Sequence, residues 1–141
     1  MAEIKQNADG SLDIVGFEKS SSGFAMVNCE YDAASVDKVF AVMARRMIVK
    51  AITGWVTVAG TDGGAVTAVI RKVPSGTALA SGTALHSGSF NLKGTAVTVQ
   101  DLALSTTLSD LILADGDSLA IDFTGVLTSA TGCVTVHMAP A

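Results

Sequence analysis

The residues that could do chemistry are few and scattered. There are two histidines, His86 and His137, and two cysteines, Cys29 and Cys133. The acidic turn Asp115-Gly116-Asp117 has Asp122 close behind it. That turn could supply calcium ligands, but calcium takes six to eight oxygens, and an EF-hand loop ends on a glutamate. The three glutamates, Glu3, Glu18 and Glu30, all lie near the start of the chain. Asx residues at such a turn ordinarily bond their own backbone. Two histidines with no nearby glutamate are too few for the metal centre of a cupin-type barrel. Cys133 as a nucleophile would need a base, an orienting group and an oxyanion donor in one cleft. His137 shares its strand face, but at about 3.3 Å per residue it is about 13 Å away. The Gly-rich stretches, Asp62-Gly63-Gly64 and Ser81-Gly82-Thr83, lack the spacing of a phosphate-binding loop. Retaining or inverting glycoside hydrolysis needs two facing carboxylates, which the clustered aspartates do not offer. The expectation is therefore no catalytic residue, no metal and no cofactor.

Three residues stand out as partner contacts instead. Arg45 and Arg46 sit between apolar runs, where an unpaired charge is costly to bury. They belong at a surface turn or against carboxylates across an interface. Trp55, the single tryptophan, reads as a core or interface residue, since Trp is a common anchor at interfaces. Charge is uneven along the chain. Lys38, Arg45, Arg46, Lys50, Arg71 and Lys72 face only Asp62 between positions 38 and 72, whereas positions 94–141 hold five Asp and no Lys or Arg. Such polarity suits docking in one orientation.

The elements that must carry these residues read as strands. The 141 residues make one domain of ordinary size, 49% hydrophobic and 16% charged, with mean hydropathy +0.49. That balance excludes intrinsic disorder. No apolar run approaches the roughly 20 residues of a membrane helix. The net charge of −4 argues against nucleic acid as main partner. Nothing at the N-terminus marks the chain for secretion, and two distant cysteines fit a reducing cytoplasm during synthesis.

Leu12–Phe17, after the turn signal Asp9-Gly10, and Gly23–Tyr31, after the loop Ser20-Ser21-Ser22-Gly23, are the first expected strands. Val39–Ala44 reads as a strand or helical turns. Met47–Ala59 reads as a long strand with Gly54 as a bulge. Asp62-Gly63-Gly64 signals a hairpin back into Ala65–Val73, and Leu79–Leu85 a loop with short edge pieces. Ser89–Leu92 is a short strand. Ala96–Leu104 changes phase, which suggests a bulge near Gln100-Asp101. Thr106–Leu113 has helical spacing. Leu119–Phe123 and Cys133–Met138 alternate strictly, as strands with one wet face do. Eight to ten strands with frequent turns predict an all-β fold, an antiparallel jelly-roll-like β-sandwich. Residues 1–35 are expected to form an N-terminal arm or extension and residues 36–141 the sandwich.

Two segments carry a family resemblance. One runs Arg71-Lys72-Val73-Pro74-Ser75-Gly76-Thr77-Ala78-Leu79-Ala80-Ser81-Gly82-Thr83-Ala84-Leu85-His86 and on through Phe90-Asn91-Leu92-Lys93-Gly94. The other runs Leu113-Ala114-Asp115-Gly116-Asp117-Ser118-Leu119-Ala120-Ile121-Asp122-Phe123-Thr124-Gly125 and on to the end. With them, the stretch Arg46 to Pro140 resembles structural proteins of tailed-bacteriophage virions, specifically capsid decoration (cement) proteins. The resemblance implies a jelly roll, commonly a homotrimer, seated on the capsid exterior against the major capsid protein. Similar modules occur in head fibres and tails, so a receptor- or glycan-binding module is the alternative. Nucleic acid and membrane are not expected partners.

Overall fold

The computed structural model describes residues 24–141 throughout and, as backbone strands alone, Glu3–Gln6 (β1) and Leu12–Val15 (β2). These two pair with each other, Ile4 opposite Ile14, in a sheet separate from the rest. The turn expected at Asp9-Gly10, the far end of the strand expected to reach Phe17 and the loop Ser20–Gly23 lie outside the described residues.

From Ala25 onward the chain alternates between two antiparallel sheets. One holds β3 (Ala25–Tyr31), β5 (Met47–Val58), β9 (Thr98–Leu102), β10 (Ile112–Leu113) and β12 (Thr131–Pro140). The other holds β4 (Lys38–Val42), β6 (Thr67–Val73), β7 (Thr83–Ala84), β8 (Phe90–Asn91) and β11 (Ser118–Thr124). The short strands β9 and β10 share one side of β5, and β7 and β8 share one side of β6. The first sheet therefore runs β3-β12-β5-(β9, β10) and the second β4-β11-β6-(β7, β8), four positions each. Numbering those eight positions along the chain gives 1-8-3-6 facing 2-7-4-5, two Greek keys folded together, which is a jelly roll. The sandwich begins before residue 36. β3, in the stretch expected to be an arm, pairs with β12 along its whole length, from Tyr31 opposite Gly132 to Ala25 opposite Met138.

Alternation decides what goes inside. β3 turns Cys29 and Tyr31 inward, β12 turns Val134, Val136 and Met138, and β11 turns Leu119 and Ile121. In β5 the inward set is Met47 and Val49, then Ile52 and Val56. The three-residue step from Val49 to Ile52 requires an extra residue, and the register supplies it: His137 faces Ala51 while Met138 faces Val49, so Lys50 bulges out. Thr57 is skipped in the same way.

Gly54, expected to be a bulge, is paired regularly with Val134 and Gln100. It is glycine because the Phe90 ring, delivered by the facing sheet, lies on its Cα, where a methyl group would collide with ring carbons. Phe90 is fully buried and meets Tyr31 edge-on, centroids 5.9 Å apart at 77°; Phe123 meets Tyr31 similarly at 6.2 Å. Each such pair adds roughly 0.5–1.5 kcal/mol beyond burial.

Two further expectations are corrected. Asp62-Gly63-Gly64 does not close a hairpin, since β5 and β6 lie in different sheets. Both strands have a face to bury, so the connection crosses between layers, held by Lys93 Nζ donating to the carbonyls of Asp62 and Gly64. β9 has no bulge at Gln100-Asp101; it pairs without interruption from Leu102 opposite Ile52 to Thr98 opposite Val56. Its change of phase is real exposure: Val97, at φ 58°, and Val99 face solvent, while Leu102 packs on the core. The helical spacing after Thr106 becomes one turn, α1 (Leu108–Leu111).

Replacing Gly54 by alanine sets overpacking, about 1–3 kcal/mol, against an entropic gain of about 0.4–1 kcal/mol. The chemical-denaturation midpoint of Gly54→Ala should fall clearly. Gly63→Ala, where the added carbon meets nothing within 4 Å, should leave it within about 0.5 kcal/mol of wild type.

Candidate functional site

The groups with potential chemistry are dispersed and occupied. His86 is buried between the sheets; its Nε2 accepts the Ile70 N–H at 3.0 Å, and Nδ1 lies 3.3 Å from the Ser87 carbonyl. That pattern fixes the neutral tautomer, with the proton on Nδ1. Burial, chiefly, and the nearby Arg71 cation hold its pKa below 6.5, against the opposing pull of the Ser87 carbonyl. His137 stands on the outer face of the first sheet, 3.4 Å from Thr53 Oγ1. Asp117 turns back to accept the Ala114 N–H, and Asp122 pairs with Arg71 at 2.7 Å on the outer face of the other sheet. The three aspartates near residue 117 thus do not converge. Among the described residues no group of three His, Cys, Asp or Glu could hold a metal ion.

Cys29 points inward and Cys133 outward, on adjacent strands. Burial, above all, raises both thiols, with Glu30 adding to it, which opposes a reactive thiolate. Cys133 lies in a cross-strand row with Glu30 and Trp55, while His137 lies in the row of Met26 and Ala51. Tyr31 packs its ring inside with its hydroxyl unpartnered among the described residues, and burial, followed by Cys133, pushes it up to about 12.

Surfaces offer more. Trp55 is half-buried on the outer face of the first sheet, flanked by Cys133 and Val99. Arg45 and Arg46 are exposed in the bend between β4 and β5. This bend is tied at both sides: Gly116 N–H donates to Met43 O, and Ala141 N–H to Arg46 O. Arg46 immediately precedes β5 and Trp55 lies nine residues further along the extended chain, about 30 Å at ~3.3 Å per residue, so the three expected contact residues do not form one site. Two grooves flank β3. A polar one of about 590 Å³ lies at its C-terminal end, lined by Glu30, Asp32, Lys38, Thr57 and Thr131. An apolar one of about 430 Å³ lies at its N-terminal end, lined by Phe24, Met26, Lys50, His137 and Met138. Sequence reasoning missed this second groove. The phase break at Lys50 was a legible signal for it, but the exposure of Phe24 and Met26 depends on β3 being an edge strand.

No family model and no curated protein matches the chain. Among solved structures, a chain from "Capsid of Ralstonia phage GP4" superposes with a TM-score of 0.55 at 13% identity, over 83% of this chain and 85% of that one. The two share a fold. A chain from "Bacillus endospore appendages form a novel family of disulfide-linked pili" aligns at 17% identity over 84% of this chain and 88% of that one, with a TM-score of only 0.32.

His86 gives a pH signature. Its folded pKa lies below its unfolded 6.5, so between the two values the unfolded chain binds more protons. Its contribution is complete above pH 6.5 and is lost as pH falls through the folded value. Denaturation midpoints should therefore drop from pH 7 to pH 5. His86→Gln, whose side-chain oxygen can still accept from Ile70 N–H, should remove that component; an identical pH slope in both proteins contradicts the assignment.

Proposed function

We propose that this protein is a structural component of a tailed-bacteriophage virion, a decoration protein that binds across neighbouring subunits of the major capsid protein and stabilises the shell from outside. The observation that carries the reading is the fold shared with a phage capsid chain over most of both molecules. The resemblance of Arg46 to Pro140 to cement proteins supports it independently of the coordinates. The role is mechanical rather than catalytic: among the described residues the molecule presents outward edges, grooves and three cations, Arg45, Arg46 and Lys50, that form no ion pair there. A protein that binds only the assembled shell stabilises it by mass action. A homotrimer, each copy touching the shell through contacts such as Arg45, Arg46 and Trp55, multiplies that effect through effective concentration. Synthesis in the host cytoplasm would precede attachment.

The polar groove at the end of β3 favours one second reading. With Glu30 and Asp32 on its walls, it has the acidic character that a glycan- or receptor-binding module of a head fibre or tail would use. A reproducible, sequence-specific signal on a glycan array would move the function there.

The direct test mixes the purified protein with capsids that lack it and images them. Threefold densities at regular lattice positions on the outer surface are expected. Capsids that stay bare at micromolar protein overturn the reading.

A further inference from the structure

Seven cations lie among the described residues, and four of them are engaged. Lys38 Nζ donates to Glu30 O, Arg71 pairs with Asp122, Lys72 Nζ donates to the carbonyls of Ser109 and Ile112, and Lys93 Nζ spans the loop at Asp62 and Gly64. The remaining three, Arg45, Arg46 and Lys50, make no side-chain hydrogen bond or ion pair among the described residues, and all three are exposed. They fall within six positions around the start of β5. The antiparallel pairings bring the end of β12 and the start of β3 to the same end of the sheet: Met47 faces Pro140, and Met138 faces Ala25. Phe24 and Met26, 68% and 73% exposed, therefore lie at the same end of the sheet as Arg45 and Arg46, with β12 between β3 and β5. Lys50 is the bulged residue, held outward by the register shift, and it shares the apolar groove with both. Nothing about the jelly roll requires this combination. A monomer gains nothing from two large apolar side chains in water, nor from three like charges with no counter-ion among the described residues.

We propose that this corner is the surface that docks on the shell, and that its partner is a protein surface combining carboxylates with apolar side chains. The inference rests on the virion reading and adds to it the chemistry of the contact. Charge complementarity decides the occupant. The three cations call for anions, and the apolar groove that Lys50 lines calls for side chains that fill it, which a phosphate backbone does not supply. Phosphate binding also draws on many cations at once, and this corner has three in a chain of net charge −4. Among the described residues the acids without a side-chain bond do not assemble a matching patch: Glu30, Asp101 and Asp115 lie on β3, on β9 and in the turn before β11 respectively.

The test compares the full-length wild type with two variants, R45E/R46E/K50E and Met26→Ser, by binding to capsids that lack the protein. All altered residues are exposed, so the fold should persist. The triple reversal should weaken binding roughly 10–100-fold, from three rim charges each worth up to about tenfold and inverted rather than removed. Wild-type binding should also weaken as salt rises, and the variant's should not. Met26→Ser should weaken binding about tenfold with the salt dependence intact. Equal affinity of wild type and triple variant overturns the inference while leaving the virion role standing; failure of the wild type to bind overturns both. Three other results also overturn it. A change in the mass of the isolated protein on charge reversal would make the corner a self-contact. A melting temperature lowered by more than a few degrees would mean that the chain covers it itself. Retention of wild type, but not variant, on double-stranded DNA at physiological salt would assign it to phosphate.

Discussion

Two sheets pressed close enough for a phenylalanine of one to lie on the backbone of the other is the constraint from which the rest follows. Phe90 reaches across the interior and rests on Gly54, and Tyr31 and Phe123 complete the aromatic cluster from the flanking strands. The space between the layers is packed with these rings and with aliphatic side chains from β5, β6, β11 and β12. The buried His86 is tied to the Ile70 amide, and burial lowers its pKa. The two grooves described, by contrast, lie at the ends of β3.

The outside is uneven, for reasons set by the same packing. The second sheet carries its Arg71–Asp122 pair on its outer face, and Lys72 caps the carbonyls around α1. The first sheet instead accommodates a bulge at Lys50 so that Val49 and Ile52 both face inward. The cost of that register shift is a lysine driven into solvent beside β3, an edge strand whose outer backbone groups have no sheet partner among the described residues. Edge strands with exposed apolar side chains are natural templates for association.

Much of this was legible in the residues. The strict alternation in Leu119–Phe123 and Cys133–Met138 gave two of the inner strands, β11 and β12, and the helical spacing at Leu108, Leu111 and Ile112 gave α1. Sheet membership was not legible. Asp62-Gly63-Gly64 has the local chemistry of a hairpin, but the strands on either side each need a cover for one apolar face, and only opposite layers provide it. Gly54 reads as a bulge because a strand glycine usually marks either a bulge or a close approach, and the ring that approaches it comes from 36 positions away in sequence. Val99 reads as core by type and sits in solvent because Val97 takes a left-handed backbone and Leu102 claims the inward phase. Among the residues of the proposed corner, Arg45 and Arg46 were singled out by the cost of burying them. Phe24 and Met26 were not, since nothing local says that β3 lies at an edge.

The central claim, that this jelly roll works through its outer surface with a closed interior, is open to amide hydrogen exchange on the free protein and on the protein bound to shells. The account predicts new protection confined to the start of β3 and the bend from β4 into β5, with the inner strands β11 and β12 equally slow in both states. Protection appearing instead along β11, or around His86 and Phe90, with the β3 edge unchanged, would contradict it.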